Sequence, residues 1–219
     1  SSYNSNNNGS IFPYLDEYVW ENVRNCYILL ERIDENPELS DAEKNRMKDE
    51  ARCILASTYF VCFRFYGGLP IIEATFSGAD AEYELPRASV DETVKFMVGI
   101  LDSVIKNNNL PWSYLGTTSA AQETGRWTIA AAVALKAKIL QFAASPLFND
   151  TKPYYDGKYT MEDSGPVWYG NYDVNRWIAA RDAFKQFLDR NAAAGSPHHM
   201  VEPAGATQED YAYAFRYSY

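Results

Sequence analysis

The sequence predicts an all-α protein made of tetratricopeptide-like helix pairs, an α-α superhelix, with long irregular loops. Apolar residues recur at three- and four-residue steps in several segments, which is the spacing of one helix face. Most of these segments begin at a capping residue or end at Gly, Asn or Pro. Stacked helix pairs bury each face on the next pair. We expect helices at about 15–33, 41–66, 89–106, 128–144 and 174–191.

The first two predicted helices form an antiparallel hairpin, since only a short turn joins them. Residues 40–41 supply an N-cap for the second helix. The stretch 53–65 is apolar on nearly every side, so other helices should enclose it. Residues 67–68 supply a left-handed C-cap, and Pro70 blocks continuation of the helix.

The third helix follows an extended apolar segment at 69–76 and a loop. Ser89 and Glu92 have the spacing of a capping box, which marks its start. Three consecutive asparagines at 107–109 mark its end.

The fourth and fifth helices follow further loops. The fourth is rich in alanine, so a neighbouring helix can approach it closely, and Pro146 ends it. A Gly-, Tyr- and Trp-bearing loop at 147–172 precedes the fifth helix, and its length is typical of a functional or disordered loop. The tail from Gly195 receives no assignment.

Charge argues against a nucleic-acid partner, and hydropathy argues against a membrane-spanning segment. The 219-residue chain has a formal net charge of -9, whereas nucleic-acid binding needs a basic face. The apolar run near 129–144 contains Lys136, Lys138 and Gln141, so it is not a membrane span. We treat residues 1–219 as a single helical domain and as a piece of a longer protein.

The cysteines and histidines predict neither a disulfide framework nor a metal site. Cys53 and Cys62 are nine residues apart on one predicted helix. That spacing corresponds to about 13 Å along the axis, which is too far for a disulfide bond. Together with Cys26 they are expected to be buried free thiols. The adjacent His198 and His199 are interpreted as a chance pair, and no cofactor or metal is predicted.

Four sequence blocks occur in an order that is typical of one protein family. They are EAR with YF and YGGLP within 50–70, RASVDE at 87–92, GRWT with alanines from 125, and ASPLFN at 144–149. Together they resemble the SusD/RagB family of outer-membrane glycan-binding lipoproteins over residues 18–190. The family's lipidated N-terminal cysteine, its first segment and its C-terminal half have no counterpart here.

The resemblance implies capture of an oligosaccharide or polysaccharide at the cell surface by a non-enzymatic protein. It implies delivery of that glycan to a TonB-dependent, SusC-like transporter, with no cofactor. It also implies an outer-membrane, surface-exposed lipoprotein. Membrane association would then depend only on a lipid anchor that is not present in this chain.

Aromatic and polar residues in three loops are the candidate glycan contacts. Aromatic planes cover the apolar face of a sugar ring, while amides and carboxylates pair with its hydroxyls. The resemblance favours the loop before the first helix. The alternative is that these aromatic side chains pin their loops to the helical body. The candidates are Tyr3, Asn4, Asn6, Tyr14, Trp112, Tyr114, Trp168 and Tyr169.

Two other functions remain open at this point. One is a helical-repeat scaffold that binds protein partners and no glycan. The other is a helical glycan-active hydrolase, which needs two carboxylates flanking a glycosidic bond. Loop pairs of acidic residues that could serve are Glu82/Glu84, Glu162/Asp163 and Glu209/Asp210. No catalytic residue is predicted, because a charged loop is usually only solvated.

Overall fold

The computed structural model describes residues 18–76, 85–154, 165 and 167–217. These residues contain α-helices and one 3-10 turn at Ile33–Glu35, without any strand. The predicted all-α class is therefore confirmed. The helices are α1 Val19–Arg32, α2 Asp41–Tyr66, α3 Val90–Asn107, α4 Ala120–Glu123, α5 Ile129–Ala143, α6 Val174–Ala193 and α7 Gln208–Tyr217.

All five predicted helices are present as α1, α2, α3, α5 and α6. The predicted start of the first helix, at about residue 15, lies outside the described residues. Two helices were not predicted. α4 is a single turn, too short to show a period. α7 contains the run YAYAF, whose alternation has the two-residue period of a strand rather than the spacing of a helix.

Local capping chemistry sets most helix boundaries. Ser40 and Ser89 each accept a hydrogen bond from the backbone N–H three residues later, and the Glu at that position completes a capping box. Thr128 caps α5 in the same way, through the N–H of Ala131. Asn108 ends α3 in the left-handed conformation, with φ 56°. Gly67 ends α2 at φ 72°, a backbone conformation that favours glycine.

Each long helix packs against the next long helix in the chain. α1 lies along α2, α2 against α3, α3 against α5, and α5 against α6. The core runs through the second half of α2, where Leu55, Tyr59 and Phe63 are at most 1% exposed. The Phe63 ring stacks on Phe148 at a centroid distance of 5.0 Å. The prediction that other helices enclose this part of α2 is confirmed except at Ile54 and Phe65, which are 42% and 54% exposed.

The three cysteines are buried and form no disulfide, as predicted. Cys26 is on α1, whereas Cys53 and Cys62 are on α2. Across the described ranges, no helix has the length and apolarity needed to cross a membrane.

Candidate functional site

An apolar cleft lies between the first half of α1 and the segment that follows α2. Its cavity volume is about 360 Å³, with Trp20, Ile72 and Phe76 among the apolar wall residues. Glu21, Arg24 and Thr75 are the polar residues of its lining. We call this cavity the Trp20 cleft.

The segment 69–76 is held against the helices by hydrogen bonds at both of its ends. The Leu69 N–H donates to Thr93 Oγ1 at 3.1 Å. The Tyr59 hydroxyl donates to the carbonyl of Pro70 at 3.0 Å and accepts from the N–H of Ile72 at 2.9 Å. At the far end, the N–H and hydroxyl of Thr75 donate to the Glu31 carboxylate at 2.8 and 2.6 Å. The wall of the cleft is therefore fixed to α1, α2 and α3.

Trp20 is partly buried and packs against the aromatic core. Its ring meets the ring of Tyr59 at 86° with centroids 6.2 Å apart, and Tyr59 in turn packs on Phe96 at 4.9 Å. This edge-to-face series is a preferred geometry of aromatic pairs. The indole orientation is thus set by the core, while part of the ring faces the cleft.

A second cavity lies beside the same segment, lined by residues of α1, α2 and α3. Its volume is also about 360 Å³, and its lining includes Tyr27, Phe96, Gly99 and Glu73. We call this cavity the Gly99 groove. Burial, followed by the neighbouring Tyr59 and Glu73, raises the pKa of the Tyr27 hydroxyl well above its usual value. Tyr27 therefore remains a neutral phenol.

The predicted contact Trp112 packs against the C-terminal half of α6. Its Nε1 donates to Asn191 Oδ1 at 3.4 Å, and its ring lies 5.5 Å from that of Phe187. The Arg190 guanidinium lies 5.2 Å from the Trp112 ring centroid. Tyr114, in the same loop, has a buried hydroxyl that makes no hydrogen bond within the described part of the chain.

The predicted contacts Trp168 and Tyr169 lie at the other end of α6. Trp168 is only 8% exposed, and its Nε1 donates to the carbonyl of Asp150 at 3.1 Å. The Arg176 guanidinium lies over the Tyr169 ring, 3.8 Å from the centroid. Burial is the main reason why the pKa of Tyr169 is raised above its usual value. Tyr169 and Arg176 also line a third cavity, of about 310 Å³.

The structure does not bring these two pairs of aromatic residues together. Arg176 and Phe187 are eleven residues apart on α6, which corresponds to about 16 Å along the helix axis. Trp112 and Tyr169 each make contacts that fix a loop to α6, whereas Trp168 joins its loop to the loop that carries Asp150. The other predicted contacts, Tyr3, Asn4, Asn6 and Tyr14, lie outside the described residues.

The sequence did give one signal for the Trp20 cleft. Trp20 lies three and seven residues before the buried Val23 and Tyr27, so the spacing places a large aromatic residue at the start of the apolar face of α1. Among the acidic pairs, Glu82/Glu84 and Glu162/Asp163 fall outside the described residues. Asp210 accepts hydrogen bonds from the N–H and hydroxyl of Thr207 at 3.0 and 2.6 Å. Its carboxylate therefore belongs to the capping contacts at the start of α7. Groups of three potential metal ligands do not occur in the described ranges.

No protein-family model matches this sequence, and no curated protein sequence matches it either. Solved structures do match. The protein named BT4246 superposes with a TM-score of 0.72 at 24% identity, over 92% of this chain and 37% of that one. A SusD-like protein of Bacteroides fragilis, BF3747, gives 0.63 at 22% identity, over 90% of this chain and 29% of that one. The chain has a SusD-like fold.

A third similar structure is that of BF0978, a SusD-like carbohydrate binding protein of Bacteroides fragilis. It superposes with a TM-score of 0.57 at 18% identity, over 83% of this chain and 28% of that one. This chain spans about a third of the length of these SusD-like structures. The resemblance seen in the four sequence blocks is thus confirmed by the SusD-like fold.

Proposed function

We propose that this protein captures a glycan at the cell surface and delivers it to a TonB-dependent, SusC-like transporter. One observation carries the proposal: a SusD-like fold presents a pre-formed cleft with an aromatic wall and polar groups beside it. BF0978, which has the same fold, is described as a carbohydrate binding protein, and this supports a glycan as the ligand. Binding and transfer, rather than bond cleavage, is the proposed role.

The chemistry of the Trp20 cleft suits a sugar ring. The indole of Trp20 and the ring of Phe76 offer apolar surface to the C–H face of the sugar. Arg24 supplies hydrogen-bond donors, and Glu21 supplies acceptors, for the hydroxyls around the ring. A volume of about 360 Å³ is within the usual range for a small-ligand pocket.

The predicted N-terminal contacts belong to the same proposal. Tyr14 precedes Trp20 by six residues in the sequence, and Tyr3, Asn4 and Asn6 come earlier still. We propose that these residues extend the surface that begins at the cleft. The proposed location is the outer face of the outer membrane, where a lipid anchor holds the protein.

Calorimetry tests the binding proposal most simply. The full chain is titrated with xyloglucan, amylopectin, laminarin, arabinoxylan and a mucin glycopeptide. At least one should bind, and Trp20→Ala should weaken that binding at least tenfold. Trp177→Ala is the matched control, because Trp177 is a 39% exposed tryptophan on α6. Its affinity should stay within twofold of the wild type.

Two results would contradict the proposal. One is the absence of binding to every glycan in the panel, together with no transporter co-purifying with the full-length protein. The other is equal binding by the wild type and Trp20→Ala, which would remove the Trp20 cleft as the site. Thermal unfolding of each variant shows whether a loss of binding reflects a loss of fold.

An exposed apolar row on α6 favours the scaffold function as a second candidate. Val174, Ile178, Phe184 and Leu188 are between 37% and 64% exposed. Their spacing places them along one side of the helix, where they could contact another protein. If the protein is only a scaffold, Phe184→Lys will abolish partner binding and no glycan will bind.

A further inference from the structure

Gly99 is a glycine in the middle of a long helix. It lies at the centre of α3, where glycine costs about 0.5–1 kcal/mol relative to alanine. A Cβ atom built at this position would meet no heavy atom within 4 Å. Close packing within the described structure therefore does not explain the glycine. Its effect is to leave open space along the Gly99 groove.

The floor and sides of this groove are apolar and partly aromatic. Tyr27 and Leu30 come from α1, while Phe96 and Ile100 come from α3 on either side of Gly99. Such a surface can cover the C–H face of a sugar ring, as the wall of the Trp20 cleft can.

The polar residues of the groove leave one carboxylate available. Arg52 and Lys95 line the groove, but they form ion pairs with Asp49 and Asp91 respectively. Glu73 makes neither a hydrogen bond nor an ion pair with any described residue. Its two oxygens can therefore accept hydrogen bonds from a pair of sugar hydroxyls. The same charge would repel the carboxylate of an acidic sugar.

We propose that the Gly99 groove is a second glycan-binding site, which takes a neutral sugar unit of the same polysaccharide that enters the Trp20 cleft. This inference rests on the proposed function. It adds that the ligand is a neutral polymer held at two places. The glycan lies over Gly99 with its ring against Tyr27 and Phe96 and its hydroxyls towards Glu73.

The two cavities are close enough for one polymer to reach both. They share α1 and the segment 71–76, with Glu73 lining the groove and Ile72 and Thr75 lining the cleft. Trp20 and Tyr27 are seven residues apart on α1, or about 10 Å along its axis. Once one unit of a chain is bound, binding of the next becomes an intramolecular step with a high effective concentration. A polymer should therefore bind more tightly than a short oligosaccharide.

A variant that fills the groove tests the proposal without removing a contact from the fold. In Gly99→Leu, a side chain occupies the open space, and leucine favours the helix. The probe is whichever of xyloglucan, amylopectin, laminarin or arabinoxylan binds the wild type. Gly99→Leu should weaken its binding at least fivefold, with a melting temperature equal to or above that of the wild type.

Two controls separate the filling of the groove from the change in helix propensity and from the effect of the ligand's charge. Gly99→Ala changes the helix propensity but adds only one methyl group, so its affinity should stay within twofold. Polygalacturonate, an acidic polysaccharide, should not compete. In a spectrum of the ¹⁵N-labelled chain, the neutral glycan should shift both the Gly99 amide and the Trp20 indole signal.

The outcomes separate this inference from the proposed function. Wild-type affinity in Gly99→Leu, or a shift at Trp20 without one at Gly99, overturns the second site and leaves glycan capture standing. A shift at Gly99 without one at Trp20 keeps the groove and overturns the cleft. If no glycan of the panel binds the wild type, both proposals fail.

Discussion

Asp49 shows how a single buried charge can join two helices. Its side chain is fully buried on α2 and accepts hydrogen bonds from Arg52 Nη1 at 2.7 Å, Asn107 Nδ2 at 3.0 Å and Asn109 Nδ2 at 2.8 Å. The two asparagines lie at and just after the C-terminal end of α3. The carboxylate therefore fixes the end of α3 against α2.

Replacing this carboxylate should cost much of the stability of the protein. In Asp49→Ala, Arg52 and the two asparagine amides lose an acceptor that is itself fully buried, so we expect the free energy of unfolding to fall by about 3 kcal/mol. Urea denaturation measures this change. Asp182→Ala is the control, because the Arg181–Asp182 pair is exposed, and it should change the free energy by less than about 0.5 kcal/mol. Equal effects of the two substitutions would contradict this role.

The buried thiols predict how the protein responds to alkali. Burial raises the pKa of Cys26 to about 11 and that of Cys53 to about 12, from a usual value near 9. Above pH 9 the unfolded chain loses thiol protons that the folded chain retains. Stability should therefore be complete below pH 9 and should fall as the pH rises towards 11–12.

Thiol labelling checks the same point at one pH. At pH 8 a disulfide reagent should label none of the three cysteines of the folded chain within minutes and all three in guanidinium chloride. Rapid labelling of the folded chain would show that a thiol is accessible, contrary to the burial of all three.

At the scale of elements, the segment 69–76 depends on one hydroxyl of α2. Tyr59 bonds to the backbone of both Pro70 and Ile72, and the segment forms a wall of both proposed glycan sites. Tyr59→Phe should lower the free energy of unfolding by about 1–2 kcal/mol, because two backbone groups lose a partner. It should also speed hydrogen exchange at Ile72 and weaken glycan binding.

A second tyrosine of the same helix provides the comparison. Tyr66 is 40% exposed near the end of α2, so Tyr66→Phe should change neither stability nor exchange at Ile72. If Tyr59→Phe behaves like this control, the segment is held by its other contacts, and the hydroxyl is not what fixes it.

Helix boundaries were predictable because the signals that set them are local. The box of Ser89 and Glu92 spans three residues, and Asn108 ends α3 within the predicted stop. α7 was missed because the alternation in YAYAF favours the wrong period. The Trp20 cleft depends on contacts that no spacing reveals. Thr75 bonds to Glu31 across 44 residues, and Ile72 bonds to Tyr59 across 13.

At the scale of the whole molecule, the proposed glycan sites and the Trp112 loop lie on different helices. The Trp20 cleft and the Gly99 groove are lined by α1, whereas Trp112 and Tyr169 pack against α6, and the cavity beside Tyr169 shares Lys95 with the groove. α1 packs on α2, and α6 packs on α5, at the beginning and the end of the described series of long helices. A glycan bound beside α1 should therefore leave the Trp112 loop unchanged.

Hydrogen exchange with and without a bound neutral polysaccharide locates the glycan on the chain. Exchange should slow in peptides covering 20–31, 71–76 and 96–103 when xyloglucan or another binding glycan of the panel is added, and exchange around 112–114 should not change. Protection confined to 112–114, or no protection anywhere, would show that this SusD-like chain does not hold a glycan beside α1.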